Sequence, residues 1–154
     1  MDKIDRNICR IVQSDGRISS SEIAETVGVS VSTANERVRR LVANGVISSW
    51  RGVLDPVRAG AALCSFVLID MVYEGEEEAT EILRSRPEVQ ELHHISGPHS
   101  YLMKIRVANT EAMQEFLQQV VKPLRAVQRT ETIFTLGTLK ETTELLIGTP
   151  GSEA

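Results

Sequence analysis

Apolar residues recur at helical spacing three times before Gly45. Ile4, Ile8, Ile11 and Val12 mark the first stretch, with Asp2 placed to cap its start and Gly16 just past its end. Ser19, Ser20, Ser21 and Glu22 read as a capping box ahead of Ile23, Ala24 and Val27, and Gly28 stands where a left-handed stop belongs. The short link Gly28-Val29-Ser30 leads into a third helix, capped by Ser30, which Gly45 ends after Asn44. Two helices joined by so short a turn predict a helix-turn-helix.

The third helix is amphipathic. Val31, Ala34, Val38, Leu41 and Val42 form an apolar stripe expected to pack on the first two helices, while Ser32, Asn35, Glu36, Arg39 and Arg40 form the opposite face. Short hydrogen-bonding side chains precede the arginines. That order suits a helix N-terminus in a major groove, with cations reaching the flanking phosphates of double-stranded DNA. The expected DNA-contacting set is Ser30, Ser32, Thr33, Asn35, Glu36, Arg37, Arg39, Arg40 and Arg51. Past Gly45, apolar residues alternate over 46–56 around Arg51-Gly52, which predicts a small hairpin or wing.

Beyond Pro56 strand and helix patterns alternate. Strands are predicted at 63–73, 89–95, 101–107 and 127–136, and helices at 76–84 and 110–121. The order βαββαβ is that of a ferredoxin-like fold, an antiparallel sheet with two helices on one face, so the chain is read as α+β. In the first of these strands Phe66 and Leu68 oppose Val67 and Ile69, so both faces are apolar and both want cover. Dimerisation through the sheet is therefore expected. Two-fold symmetry would set two reading helices against half-sites about one DNA turn, or a multiple, apart.

Composition narrows the class. Of 154 residues, 42% are hydrophobic and 25% charged, which excludes wholesale disorder and allows one ordinary domain or two small ones. The longest apolar stretch, 59–69, is far short of the roughly 20 residues a membrane helix needs, and Met1 to Arg6 lack a signal-peptide apolar region. A cytoplasmic protein with no membrane partner is expected. Net charge is -4, yet Arg37 to Arg58 hold five basic residues against Asp55 alone, so the overall acidity hides a basic segment. Cys9 and Cys64 stand far apart without a Cys-x-x-Cys pair. His93 and His94 would point to opposite faces of a strand, so no shared metal site and no cofactor are expected. The nucleophile elbow, the phosphate-binding glycine loop and the dinucleotide fingerprint are all missing, and catalysis is not expected.

Five motifs in order carry a family resemblance: Asp5-Arg6-Asn7-Ile8, Asp15-Gly16-Arg17-Ile18-Ser19, Val27-Gly28-Val29-Ser30, Arg37-Val38-Arg39-Arg40-Leu41 and Gly45-Val46-Ile47. Together they resemble the N-terminal signature of the Lrp/AsnC transcription regulators, and the likeness runs on through Leu54-Asp55-Pro56 into the second half. The resemblance implies a winged helix-turn-helix at 1–53, a linker at 54–62, a ferredoxin-like, RAM-type effector and oligomerisation domain at 63–148, and a tail at 149–154. It also implies a homodimer that assembles to a tetramer or octamer.

The resemblance further implies an effector, an amino acid, near the turn before the third strand. Gly97 and Tyr101 match the glycine and tyrosine of a Gly-Asp-x-Asp-Tyr loop, but Pro98 and Ser100 stand at its two acidic positions. The expected effector set is Ser96, Gly97, Pro98, His99, Ser100 and Tyr101, with Thr130, Glu131 and Thr132 offered by the last strand of a neighbouring subunit. Of these, only Glu131 brings a negative charge. Two other functions fit the same pattern. Siroheme decarboxylases look like this family throughout and carry His-Asn-Tyr where this chain has His99-Ser100-Tyr101; an amino-acid-sensing module acting on a protein partner would leave Arg39 and Arg40 without a salt-dependent role.

Overall fold

Residues 1–148 are described by the computed structural model; the tail expected at 149–154 lies outside them. The chain divides into two units, one formed by Met1–Val53 with the described part of Lys140–Ala154, the other by Leu54–Leu139. Among the described residues no helix is long and apolar enough to cross a membrane.

In the first unit, helices α1 (Lys3–Ser14), α2 (Ser20–Val27) and α3 (Val31–Ala43) enclose a core of Ile8, Cys9, Val12, Ile23, Ala24, Ala34 and Leu41. Each start is capped by the side chain the sequence offers. Asp2 accepts the Asp5 N–H, Ser19 and Glu22 close a reciprocal box, and Ser30 accepts the Thr33 N–H. Gly28 ends α2 at φ +72°, a left-handed conformation that costs a glycine little.

Two expectations fail in this unit. Val31 and Val42, assigned to the packed stripe, are 45% and 43% exposed, whereas Ala34 and Leu41 are buried. At ~100° per residue both valines lie on one flank of the Ala34–Leu41 line, past the reach of α1 and α2. The hairpin expected over 46–56 does not form either: no strand occurs there, and every β-ladder among the described residues belongs to the second unit. Val46 and Ile47 instead donate their N–H groups to the Leu41 carbonyl, closing the end of α3. Gly52 lacks the positive φ that a two-residue hairpin turn would ask of it.

The chain returns to this unit after the sheet. Gln13 binds the backbone of Leu145 through both ends of its amide, Nε2 to the carbonyl at 2.9 Å and Oε1 from the N–H at 3.0 Å. Arg10 donates to the Ile147 carbonyl at 2.8 Å, and the Ile147 side chain packs on the three-helix core.

The second unit is a four-stranded antiparallel sheet in the order β2-β3-β1-β4, built from β1 (Leu63–Met71), β2 (Val89–His94), β3 (Tyr101–Val107) and β4 (Val127–Phe134). Helices α4 (Glu76–Arg84) and α5 (Thr110–Phe116) supply the second layer. Val67 and Ile69 of β1 and Met103, Ile105 and Val107 of β3 meet Ala79 and Leu83 of α4 and Met113 and Phe116 of α5 in one core. The expected single helix over 110–121 changes at Leu117 into a π turn, Leu117–Val121, in which the Lys122 N–H reaches back to the Leu117 carbonyl at 2.8 Å. The wider turn leaves Phe116, Val120 and Val121 all buried. Strands β1, β2 and β4 each stop one or two residues short of the predicted ends.

Pairing fixes what the other sheet face carries. Phe66 lies opposite Ile133, and Leu68 lies between Leu102 and Glu131. These four apolar side chains stand on the face that no helix of this unit covers, with Ile133 47% exposed. Lys104 on the same face is held by Glu91 at 3.1 Å, a bond that keeps the Glu91 carboxyl below its usual range.

Leu83 is fully buried beneath the sheet, so Leu83→Ala is expected to lower the free energy of urea unfolding by about 2–5 kcal/mol, the cost of lost contacts plus an unfilled cavity.

Candidate nucleic-acid interface and effector region

The packed line of α3 decides which of its polar side chains are available. With Ala34 and Leu41 inward, Ser32, Asn35, Glu36 and Arg39 are exposed together on the far side. Asn35 Oδ1 accepts the Ser20 hydroxyl at 2.5 Å, which ties the middle of α3 to the start of α2. Ser30 and Thr33 serve the cap, their hydroxyls 2.8 Å apart, and Ser32 joins them at 2.9 Å from Ser30. Arg39 is exposed and makes no ion pair among the described residues.

Arg37 behaves differently from the expectation. Its Nη1 donates to Asp2 Oδ2 at 2.6 Å and to Asp5 Oδ1 at 2.8 Å, and the side chain is only 21% exposed. It lies about 60° round the helix from the Ala34–Leu41 line, on the flank beside the N-terminus of α1, so it braces two helices rather than facing outward. Charge counting placed it in the basic patch; the carboxylates that claim it, Asp2 and Asp5, lie thirty-five and thirty-two residues away in the chain. Arg40 is intermediate, with Nη2 3.1 Å from Asp5 Oδ2 and a side chain 54% exposed. Arg51 is exposed in the segment without regular structure, close after Trp50, whose ring lies beside Gly16.

In the second unit the β2–β3 turn gathers part of the expected effector set. Gly97 takes φ +119°, which few other residues would tolerate. Ser100 fastens the turn to β1, its N–H donating to the Ile69 carbonyl at 3.0 Å and its hydroxyl accepting the Met71 N–H at 3.1 Å. Tyr101 stacks on His94 with ring centroids 5.0 Å apart and donates its hydroxyl to Glu76 Oε1 at 2.9 Å. Partial burial, and then the bonded carboxylate, push the Tyr101 phenol above its usual range.

Two acids near this turn escaped the sequence reading. His99 Nδ1 lies 2.9 Å from Asp70 Oδ1, and Glu76 holds Tyr101, so the turn has carboxylates beside it although Pro98 and Ser100 supply none. The available signal for Asp70 was a lone charge in an otherwise apolar strand. The β4 residues separate: Thr130 and Thr132 pair with Ile69 and Val67 on the helix-covered side, whereas Glu131 pairs with Leu68 on the open side. One protomer's strand therefore does not present all three to a single pocket, because neighbours along a strand alternate faces. Glu131 lies near Arg129, which stands opposite Asp70, so acid and base are mixed on that face. A cleft of about 270 Å³ lined by Arg86, Glu88, Val107, Phe116, Gln119 and Val120 lies at the other end of β3 from the turn.

Comparison with known proteins accounts for both halves. The Lrp/AsnC ligand binding domain model matches residues 64–145, and the winged helix-turn-helix DNA-binding model matches residues 1–48. The chain is 34% identical over 147 residues to the HTH-type transcriptional regulator FL11 of Pyrococcus horikoshii, covering 96% of this chain and 97% of that protein. It is 36% identical over 155 residues to the leucine-responsive regulatory protein of Escherichia coli, covering 97% and 93%. Among solved structures it resembles the leucine response regulatory protein of Mycobacterium tuberculosis, with a TM-score of 0.84, 32% identity and coverage of 96% and 100%. A Neisseria meningitidis regulator crystallised as a complex with L-Met superposes with a TM-score of 0.90 at 25% identity, covering 95% and 96%.

The brace has an acid limit. The Asp5 N–H, and then the Arg37 guanidinium, lower the Asp2 carboxyl from 3.8 to about 2. A lowered folded-state value means that the stabilisation is complete above about pH 4 and is lost as pH falls through about 2. The Asp2 carboxyl carbon resonance in NMR is expected to titrate near pH 2 in the native chain, and Arg37→Met is expected to move that midpoint up toward 3.8.

Proposed function

Since the chain belongs to the Lrp/AsnC family, we propose that it is a transcription regulator that reads duplex DNA with the outer face of α3 and answers to an amino acid. The observation that carries this reading is the set Ser32, Asn35, Glu36 and Arg39, exposed together on the second helix of a helix-turn-helix. Base edges are read by short hydrogen-bonding side chains, and phosphates are met by cations. Ser32 and Asn35 take the first part, Arg39 and Arg40 the second. Arg51 adds a cation beyond the helix. Arg37 is given no contact with DNA, because its donors are committed to Asp2 and Asp5.

Two protomers pair through the open sheet face, where Phe66, Leu68, Leu102 and Ile133 otherwise meet water. Pairing brings two reading helices about a two-fold axis, and further association to a tetramer or octamer completes the assembly. The effector binds beside the 96–101 turn, with Asp70 supplying the negative charge that an ammonium group seeks. Its α-carboxylate finds a cation in Arg129, opposite Asp70. Binding shifts the balance among assembly states, and DNA occupancy follows.

The DNA reading is tested by fluorescence anisotropy on a labelled 40-base-pair duplex of random sequence across a range of salt. Arg39→Ala is expected to lower the slope of log K against log salt by about one, and an unchanged slope would remove Arg39 from the interface. Selection from a random duplex pool is expected to return a pseudo-palindrome with the native chain and a relaxed consensus with Asn35→Ala. For the effector, a thermal-shift screen of the twenty amino acids is expected to find at least one that stabilises the native protein, by about 2.7 kcal/mol at a hundredfold excess over Kd. Asp70→Asn is expected to abolish that shift; a shift equal to that of the native chain would count against Asp70.

A further inference from the structure

The carboxylate of Asp5 is the most buried charge in the first unit, 6% exposed, and two arginines of α3 converge on it. They do not hold it equally. Arg37 is clamped by two acids at 2.6 and 2.8 Å and is largely covered. Arg40 reaches Asp5 through Nη2 alone, at 3.1 Å to Oδ2 and 3.4 Å to Oδ1, and is more than half exposed. Its Nε and Nη1 make no hydrogen bond among the described residues. A guanidinium presents five N–H donors in a rigid plane, so fixing one corner aims the others.

We propose that Asp5 is a positioning residue for DNA binding: it fixes one edge of the Arg40 guanidinium so that the free edge meets a DNA phosphate, while Arg37 keeps the buried carboxylate paired. This rests on the reading of α3 as the helix that faces DNA. The division of labour has a physical reason. A buried carboxylate stripped of its partners is strongly unfavourable. Because Arg37 also pairs with Asp5, Arg40 is free to shorten, lengthen or share its own contact without leaving that charge uncompensated. Pre-setting the plane also spares part of the rotamer entropy that a long, free arginine gives up when it meets a phosphate. Asp2 completes the device. It caps α1 at the Asp5 N–H and takes the other bond of Arg37, so the helix that carries Asp5 and the helix that carries Arg40 are tied at one point.

The test exploits a sign. Simple Coulomb reasoning says that removing an acid near the DNA tightens binding and leaves the number of phosphate contacts unchanged. Positioning says the reverse: on the random-sequence duplex, Asp5→Asn is expected to bind more weakly than the native chain and to lower the salt slope by about one, although it adds a net positive charge. In an Arg40→Ala background Asp5→Asn is expected to change the slope no further. Tighter binding with an unchanged slope overturns the proposal, as does an equal fall in slope with and without Arg40. Should Asp5→Asn fail to fold, as judged by far-UV circular dichroism, Arg40→Lys replaces it. That variant keeps the charge but has no planar fork, so a slope lower by about one supports the proposal and a native slope overturns it. Arg39→Ala serves as the reference: if neither it nor Arg40→Ala alters the slope the DNA-facing reading itself fails, whereas a response to Arg39→Ala without one to Arg40→Lys or Asp5→Asn defeats the positioning role alone.

Discussion

The narrow contact from Ala34 to Leu41 governs the first unit. Because Ala34 and Leu41 are buried against α1 and α2, with Val38 packed beside them, the azimuth of every other side chain on α3 follows from helix geometry. Ser32, Asn35, Glu36 and Arg39 turn away from the core, Val31 and Val42 are left on one exposed flank, and Arg37 comes to rest over the start of α1. A one-residue change of register would exchange these roles. The ion pairs of Arg37 with Asp2 and Asp5 hold the observed rotation.

The second unit follows a different constraint. Two short helices cover one side of four strands, so half of the strand positions have a core and half do not. The π turn at 117–121 and the side-by-side burial of Val120 and Val121 show how tightly the covered half is filled. The uncovered half mixes apolar and charged residues: Lys104, held by Glu91, stands opposite Phe66, Glu131 opposite Leu68, and Asp70 opposite Arg129.

Much of this was legible from residue order, and the exceptions share a cause. Helix starts followed from Asp2, Ser19 and Ser30 because capping is settled within three or four residues. The strand order of the second unit followed from its alternation of patterns. The pairing of Arg37 escaped because its partners stand at the other end of the unit, and no local pattern reports a pairing across thirty residues. The hairpin at 46–56 had the right alternation, but its first donors were taken by Leu41 and Gly52 does not adopt a positive φ. The resemblance grouped Thr130, Glu131 and Thr132, but strand alternation puts Glu131 on the face opposite the two threonines. Asp70 and Glu76 reach His99 and Tyr101 from β1 and α4, contacts that only the folded chain reveals.

The helical unit is assembled from both ends of the chain, since Gln13 and Arg10 of α1 grip the backbone at Leu145 and Ile147. During synthesis the three helices leave the ribosome first, and at ~5–20 residues per second the sheet-forming stretch follows over several seconds before Ile147 arrives. The three-helix unit thus waits, with that part of its core unsealed, until the sheet has been made. Stalled or cleaved products that end within the sheet would carry the three helices without the contacts that Gln13 and Arg10 make to Leu145 and Ile147.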